Sequence, residues 1–350
     1  MSFRRFVYLV TKDVIRRNFP LRRIDTSRFF LPQHKRDQLL LTDTNPPPPL
    51  EEEAKELPPV AIAFDPPTSI DCNEDMEFML FPGGGAGGRN DKVVATDLTG
   101  RIILYDPESH SVRSLPGFST PKFAPISVAG AGDASSYYVL DTDFTFNNRA
   151  GCFDRFFHGG AGDDWRCQSL PPPPYVYSPY LACGGSSHVD SYAVVSGAGA
   201  GGSTSSSIWI SQTNLGTHCF DTASRVWTKA GDWTLPFSGH VQYVPEHKLW
   251  FGLPSADVCG EDDDGSIYAA SDLSATTPGL TTIRKVWGDL TPPEWTSKSS
   301  CLVHLGHSKF CLARLFQIER CPLDLDYLSF VVFTGLEAEL CGNAVRVVKH

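Results

Sequence analysis

The segment Tyr105-Asp106-Pro107-Glu108-Ser109-His110-Ser111-Val112 returns further along the chain as Phe220-Asp221-Thr222-Ala223-Ser224-Arg225-Val226-Trp227. In both copies an aromatic–Asp pair leads into a polar turn, and a large apolar residue stands six positions after the Asp. Looser copies occur at Phe153-Asp154, with Trp165 downstream, and at Ser271-Asp272, with Trp287 downstream. Leu-Pro closes three of the units, at Leu115-Pro116, Leu170-Pro171 and Leu235-Pro236. A strand–turn–strand unit recurring at roughly 50 residues predicts the blades of a β-propeller. The repeat constrains the architecture and specifies no reaction.

Other runs agree with an all-β fold. Apolar or alternating stretches bounded by turn residues predict strands at 6–10, 21–25, 60–64, 76–81, 92–97, 101–106 and 112–115. They continue at 136–141, 191–196, 207–211, 216–221, 226–229, 241–244, 248–253, 266–271, 301–305, 309–318, 328–335 and 344–348. Beyond the N-terminus, no segment keeps a helical apolar period over three turns. The 30 glycines and 27 prolines suit many short strands joined by tight turns.

The expected organisation is residues 1–31 as N-terminal strands joining the propeller, 32–59 as a linker and 60–350 as the propeller. Four consecutive prolines, Pro46 to Pro49, and the acidic run Glu51 to Glu53 mark the linker. Residues 60–350 hold about five blades at this period. The N-terminal strands then supply a partial sixth blade or complete the last one, removing an exposed edge.

A net charge of −10 repels a phosphate backbone and argues against nucleic-acid binding. The local exception is residues 1–30, with eight Lys/Arg against two Asp. The ten cysteines are scattered without a CxxC pair, which reads as free thiols in a reducing compartment. No apolar run is long enough to span a membrane.

The motifs that might carry chemistry lack their required context. Gly83, Gly85 and Gly88, and again Gly197, Gly199 and Gly202, match G-x-G-x-x-G. A dinucleotide site needs an apolar helix after the glycines, and neither copy has one. Cys301, His304, His307 and Cys311 are potential zinc ligands. The competing reading is a hairpin turning at Gly306-His307-Ser308, in which Cys301 and His304 point to opposite faces. Glu261 to Asp264 is acidic but fails the EF-hand pattern and reads as a solvated loop. No nucleophile elbow, metalloprotease or Walker motif is present. The tryptophans, 165, 209, 227, 233, 250, 287 and 295, read mainly as inter-blade packing.

Several stretches together resemble a plant family that is expanded in grasses and catalogued as a domain of unknown function. They include Arg4-Arg5-Phe6-Val7, Leu21-Arg22-Arg23-Ile24-Asp25, Leu104-Tyr105-Asp106 and Leu170-Pro171-Pro172-Pro173-Pro174. The distinctive ones are Cys219-Phe220-Asp221-Thr222, Trp233-Thr234-Leu235-Pro236-Phe237, the run Tyr243 to Gly252, and Ala270-Ser271-Asp272-Leu273. The resemblance implies a kelch-like propeller and no known reaction. It places the basic N-terminus inside the domain. Nothing before residue 60 fits an F-box, so an adaptor role in ubiquitin ligation is not supported.

The expected fold is therefore all-β, a kelch-like β-propeller of about five to six blades closed with help from the N-terminal strands. The expected function is a non-catalytic scaffold for protein–protein interaction. It would be a monomer that meets an unknown protein partner through rim loops such as 197–207 and 257–266. This reading assigns no catalytic residue, cofactor or metal, and no membrane binding. The alternative is a propeller enzyme or small-ligand binder that uses the central channel, which requires polar side chains converging from several blades. The compartment reading is cytoplasmic or nuclear. The alternative is an organelle reached through the Arg-rich N-terminus, against which Phe6 to Val10 reads as a strand.

Overall fold

The computed structural model describes residues 3–30, 57–67, 75–83, 91–130, 136–143, 149–159, 164–185, 188–198, 204–259, 265–273, 283–288, 291–321, 326–341 and 344–350. The N-terminal sheet contains β1 (Phe6–Val10), β2 (Phe19–Asp25) and β3 (Val60–Phe64). Five four-stranded meanders follow. The first is β4 (Met76–Phe81), β5 (Lys92–Asp97), β6 (Ile102–Asp106) and β7 (Ser111–Leu115). The second is β8 (Ile126–Ala129), β9 (Ser136–Leu140), β10 (Phe153–His158) and β11 (Trp165–Ser169). The third is β12 (Ser191–Ala198), β13 (Thr204–Gln212), β14 (Gly216–Asp221) and β15 (Val226–Gly231). The fourth is β16 (Phe237–Val244), β17 (Leu249–Pro254), β18 (Ile267–Ala270) and β19 (Arg284–Trp287). The fifth is β20 (Thr296–Gly306), β21 (Lys309–Cys321), β22 (Asp326–Cys341) and β23 (Ala344–Lys349). Successive meanders with adjacent first strands form a β-propeller.

The repeat has a local cause. Asp106 and Asp221 each end the third strand of a blade, and each carboxylate caps the turn that follows. Asp106 Oδ1 accepts from the Glu108 N–H at 2.9 Å, and Asp221 Oδ1 from the Ala223 N–H at 2.8 Å. These are Asx turns, which a short carboxylate stabilises by replacing a backbone acceptor. His110 and Arg225, at matching places in the two turns, share a left-handed backbone with φ of 51° and 59°. The apolar residue six positions on lies opposite the aromatic one: Tyr105 pairs with Val112, and Phe220 with Trp227. Trp227 then reaches the preceding blade, with its ring 5.5 Å from that of Phe153 and its N–H donated to the Pro171 carbonyl at 2.9 Å.

The copy at Phe153-Asp154 is out of phase. Asp154 stands at the beginning of β10, whose far end, His158, pairs with Trp165. Its role is different: Asp154 and Lys122 form an ion pair at 2.7 Å with both side chains fully buried. The ammonium also donates to the carbonyls of Thr120 (3.0 Å) and Gly151 (2.5 Å), and Ser119 Oγ donates to the carboxylate at 3.1 Å. The pair locks the segment that enters β8 onto β10. Strands β8, β10, β11 and β19 escape the sequence pattern. β11 and β19 are outer strands with little buried surface, so alternation is weak there.

Six apolar clusters hold the sheets together, one between each pair of neighbours. Met79, Phe81 and Val94 meet Tyr137 and Phe156 of the second meander, and Tyr138 and Phe153 meet Ile208 and Phe220 of the third. Ala193 meets Val241 and Trp250, and Phe251 meets Leu302 and Phe310. The N-terminal sheet completes the series. Phe19, Leu21 and Phe64 pack on Met76 and Val93 of the first meander, while Val7 and Ile24 pack on Leu305 and Cys311 of the last. Gly335 on β22 permits this second contact, because a Cβ there would lie 2.8 Å from the Phe29 carbonyl oxygen.

Among the described residues, no sheet mixes strands from the two ends of the chain. The N-terminal strands form a partial blade of their own, and β3 at 60–64 belongs to it through pairing with β2. Residues 32–59 thus connect two neighbouring strands of one sheet, and most of that segment lies outside the described residues.

Two predictions follow from this packing. Lys122→Met should destabilise the protein by about 3–5 kcal/mol, because it leaves the Asp154 carboxylate buried without its cation. The double variant Lys122→Met/Asp154→Leu should recover part of that loss in urea titrations. Deleting residues 1–25 uncovers Leu305 and Cys311 on one side and Met76 and Val93 on the other, so the melting temperature should fall and the protein should aggregate. A truncated monomer with an unchanged melting curve would contradict the bridging role of the N-terminal sheet.

Candidate functional site

The first strands of the five meanders lie side by side around the axis. A meander of four strands ends on the side where it began, so each short connection starts the next first strand in the same direction. The parallel pairing of β12 with β16 shows this directly, with Ser191 opposite Gly239 and Tyr192 opposite His240. Elsewhere side chains bridge the first strands: Ser127 Oγ donates to the Leu80 carbonyl at 2.7 Å, joining β8 to β4.

Polar side chains from three of these elements converge on the channel. The rings of Tyr192 and His240 stack at 4.8 Å and 6°. Gln242, two residues along β16, spans to β20 as a strand's backbone would. Its Oε1 accepts from the His304 N–H at 2.6 Å, and its Nε2 donates to the Leu302 carbonyl at 3.0 Å. His240 Nδ1 lies 3.3 Å from the same Nε2. His304 packs against Phe310 at 5.0 Å, and its Nε2 has no hydrogen-bond partner among the described residues. Arg4 enters from the N-terminal segment, where its N–H bonds the Leu305 carbonyl and its Nε lies 3.5 Å from Asp91 Oδ2.

His240 and Cys301 are exposed residues, yet the protein around the channel still desolvates them in part. That desolvation sets their chemistry. It pushes the His240 imidazole down to about 4, with further lowering by Arg4 and His304. It also lowers His304 to about 4, against the opposing pull of Glu246. It raises the Cys301 thiol and the Tyr192 phenol above their ordinary values. The wall is therefore neutral near pH 7. It offers aromatic faces and hydrogen bonds to an uncharged group.

The four Cys/His positions do not converge. His307 and Ser308 form the two-residue tip of the β20–β21 hairpin, with φ of 51° and 60°, as a type I′ turn requires. His307 is exposed at that tip, Cys311 is buried against Leu305, and Cys301 and His304 border the channel on β20. Among the described residues, no three Cys, His, Asp or Glu side chains group as metal ligands. Cysteines 152, 167, 183, 219, 301, 311 and 341 are free thiols. The first glycine match begins at Gly83 between β4 and β5, and the second at Gly197 inside β12, which pairs with β13, so in both a strand follows where a phosphate site needs a helix. Gly85, Gly88, Gly199, Gly202 and the acidic run 261–264 lie outside the described residues, as do the central parts of the two rim loops. No helix among the described residues is long and apolar enough to cross a membrane.

Sequence reasoning singled out Cys301 and His304 but missed Arg4, Tyr192, His240 and Gln242. A signal was present for two of them. Leu235-Pro236 marks the return to the axis, and β16 begins at the next residue, so His240 and Gln242 fall on a channel strand.

The imidazoles predict an acid sensitivity. A histidine held below its unfolded value near 6.5 contributes stability that is complete above that pH and lost as pH falls towards 4. The melting temperature should therefore drop across this window, and His240→Gln should flatten the drop in thermal scans. An unchanged slope would mean that the channel imidazoles do not carry the effect.

A search of curated proteins returned no match to this sequence. Among solved structures, the chain is similar to the β-propeller domain of Cps50 (Swd1) from Myceliophteria thermophila. Identity is 10%, coverage 96% of this chain and 92% of that one, and the TM-score 0.40. It is also similar to a protein of unknown function from Bacteroides thetaiotaomicron VPI-5482. Identity there is 13%, coverage 72% of this chain and 56% of that one, and the TM-score 0.38. The family model for proteins of unknown function DUF1668 matches residues 4–350, nearly the entire chain, and the protein belongs to that family.

Proposed function

We propose that this protein is a non-catalytic scaffold for protein–protein interaction. The observation that supports the reading is the resting state of the channel groups. Both imidazoles are held neutral far below their ordinary value, the thiol is pushed away from thiolate, and both ends of the Gln242 amide are spent on bridging two strands. A nucleophile needs the opposite arrangement, a lowered thiol pKa or an adjacent base. The scaffold reading extends to a kelch-like plant protein, monomeric, in the cytoplasm or nucleus, that meets a protein partner. The stacked Tyr192–His240 pair favours one second reading, a binder of a small uncharged ligand in the channel.

Thiol chemistry separates the scaffold from an enzyme. Cys183 and Cys341 are exposed, as is Cys301. At pH 7.5, iodoacetamide followed by mass spectrometry should label Cys183 and Cys341 ahead of Cys301. Faster labelling of Cys301 would favour a catalytic channel. The scaffold itself is tested by cross-linking the full-length protein in plant extract: a reproducible protein cross-linked at stoichiometric yield is expected, and its absence would defeat the reading.

A further inference from the structure

The N-terminal sheet differs from the other five in strand number, and the difference is one of parity. Three strands return the chain to the opposite side, so β1 runs antiparallel to the first strands of the meanders. The ion pairs agree with this direction. Lys12, just past the end of β1, meets Asp75 at the start of β4, whereas Arg4, before β1, meets Asp91 beyond the end of β4. Strand β1 thus has the direction of a blade's second strand, and no described strand occupies the first position inside it.

The edge that this leaves can be specified residue by residue. Thr26 N–H bonds the Arg5 carbonyl at 2.8 Å, and Thr11 N–H bonds the Pro20 carbonyl at 3.1 Å. In an antiparallel ladder the hydrogen-bonding direction alternates, so Arg5, Val7, Leu9 and Thr11 address β2. Phe6, Tyr8 and Val10 present their N–H and C=O groups the other way. Phe78 and Leu80 of β4 face the N-terminal sheet on one side of this edge, and Val303 of β20 faces it on the other. Cys301 shares the face of Val303, two residues along the strand. None of these four side chains is fully buried.

We propose that this edge accepts a strand of a partner protein: an extended, uncharged segment of about five residues, apolar on both faces, added antiparallel to β1. The proposal rests on the scaffold reading and names its partner chemistry. Backbone pairing supplies the attraction, and the alternating side chains meet the Phe78/Leu80 wall and the Val303/Cys301 wall in turn. Charge decides against an ionic segment. The cations at the two ends of the edge are already paired, Arg4 with Asp91 and Lys12 with Asp75, so an added charge would stand in the notch without a counter-ion. The antiparallel direction is that of the five other first strands. The interior position excludes edge-to-edge pairing with a second folded copy, which needs an outer strand.

The test uses the full chain and a library of synthetic eight-residue peptides whose five central positions are drawn from Val, Ile, Leu, Thr and Ala, read by fluorescence anisotropy. A subset of these peptides should bind. Methylating alternate backbone nitrogens of a bound peptide should lower affinity at least tenfold in the register that faces β1 and less than threefold in the other. Tyr8→Pro removes an edge N–H without touching the β1–β2 ladder but also removes a ring packed beside Phe78 and Leu80, so it is compared with Tyr8→Ala, and the proline should lower affinity at least tenfold more than the alanine does. The N-methyl series needs no protein variant, so it stands even if Tyr8→Pro folds poorly. Absence of binding across the library, or binding that ignores N-methylation register, would overturn the proposal. A dimer that dissociates in Tyr8→Pro would overturn it too, in favour of a second copy. A partner cross-linked equally well by wild type and Tyr8→Pro would remove the edge proposal and leave the scaffold reading intact.

Discussion

Every sheet in this protein is covered on both faces by its neighbours, and the structure depends on that mutual burial. Phe81, Phe156, Phe220, Phe251 and Phe310 are all fully buried between sheets. Each contributes on the order of 2–3 kcal/mol by leaving water. A four-stranded sheet with two apolar faces cannot be stable alone. Its stability is conditional on a neighbour at each side, so the N-terminal sheet is obligatory rather than decorative. It alone lies between Leu305 and Met76, the two faces that the five meanders would otherwise leave uncovered.

The channel inherits its character from the same packing. First strands brought this close must satisfy their inward polar groups locally. β12 and β16 do so by pairing directly, and β16 and β20 do so through the Gln242 side chain. Imidazoles and a thiol set in such a wall are partly desolvated by the protein around them, which favours their neutral forms. Their neutrality is a consequence of architecture.

Much of the architecture was legible because it has short-range causes. The Asp106 and Asp221 turns are set by a carboxylate and its own next two residues, and Leu-Pro marks a return to the axis, so both leave a signature in consecutive letters. The same logic explains the failures. Phe153-Asp154 imitates the motif, but its meaning comes from Lys122, thirty-odd positions away, which no local pattern reveals. The phase of the hairpin at 301–311 was readable from its turn. The juxtaposition of Tyr192 with His240 was not, since it depends on two blades lying at a given angle. The number of blades was readable as a range, whereas the allocation of Val60–Phe64 to the N-terminal sheet required the pairing with β2.

An odd strand count carries a cost that the other blades avoid. Unpaired N–H and C=O groups on β1 forgo stabilisation of about 1 kcal/mol each relative to a paired strand, a figure that already counts their hydration. A fourth strand would remove that cost and would need few residues, because β1 itself is only five long. The N-terminal segment instead spends its length on the bonds of Arg4 and on the contacts of Phe3, Phe29 and Phe30 with the last blade. These contacts hold β1 rigidly at its radius. An edge that is open, fixed in place and walled by apolar side chains is pre-organised for a strand, so an incoming segment loses only its own freedom on binding and none of the receptor's.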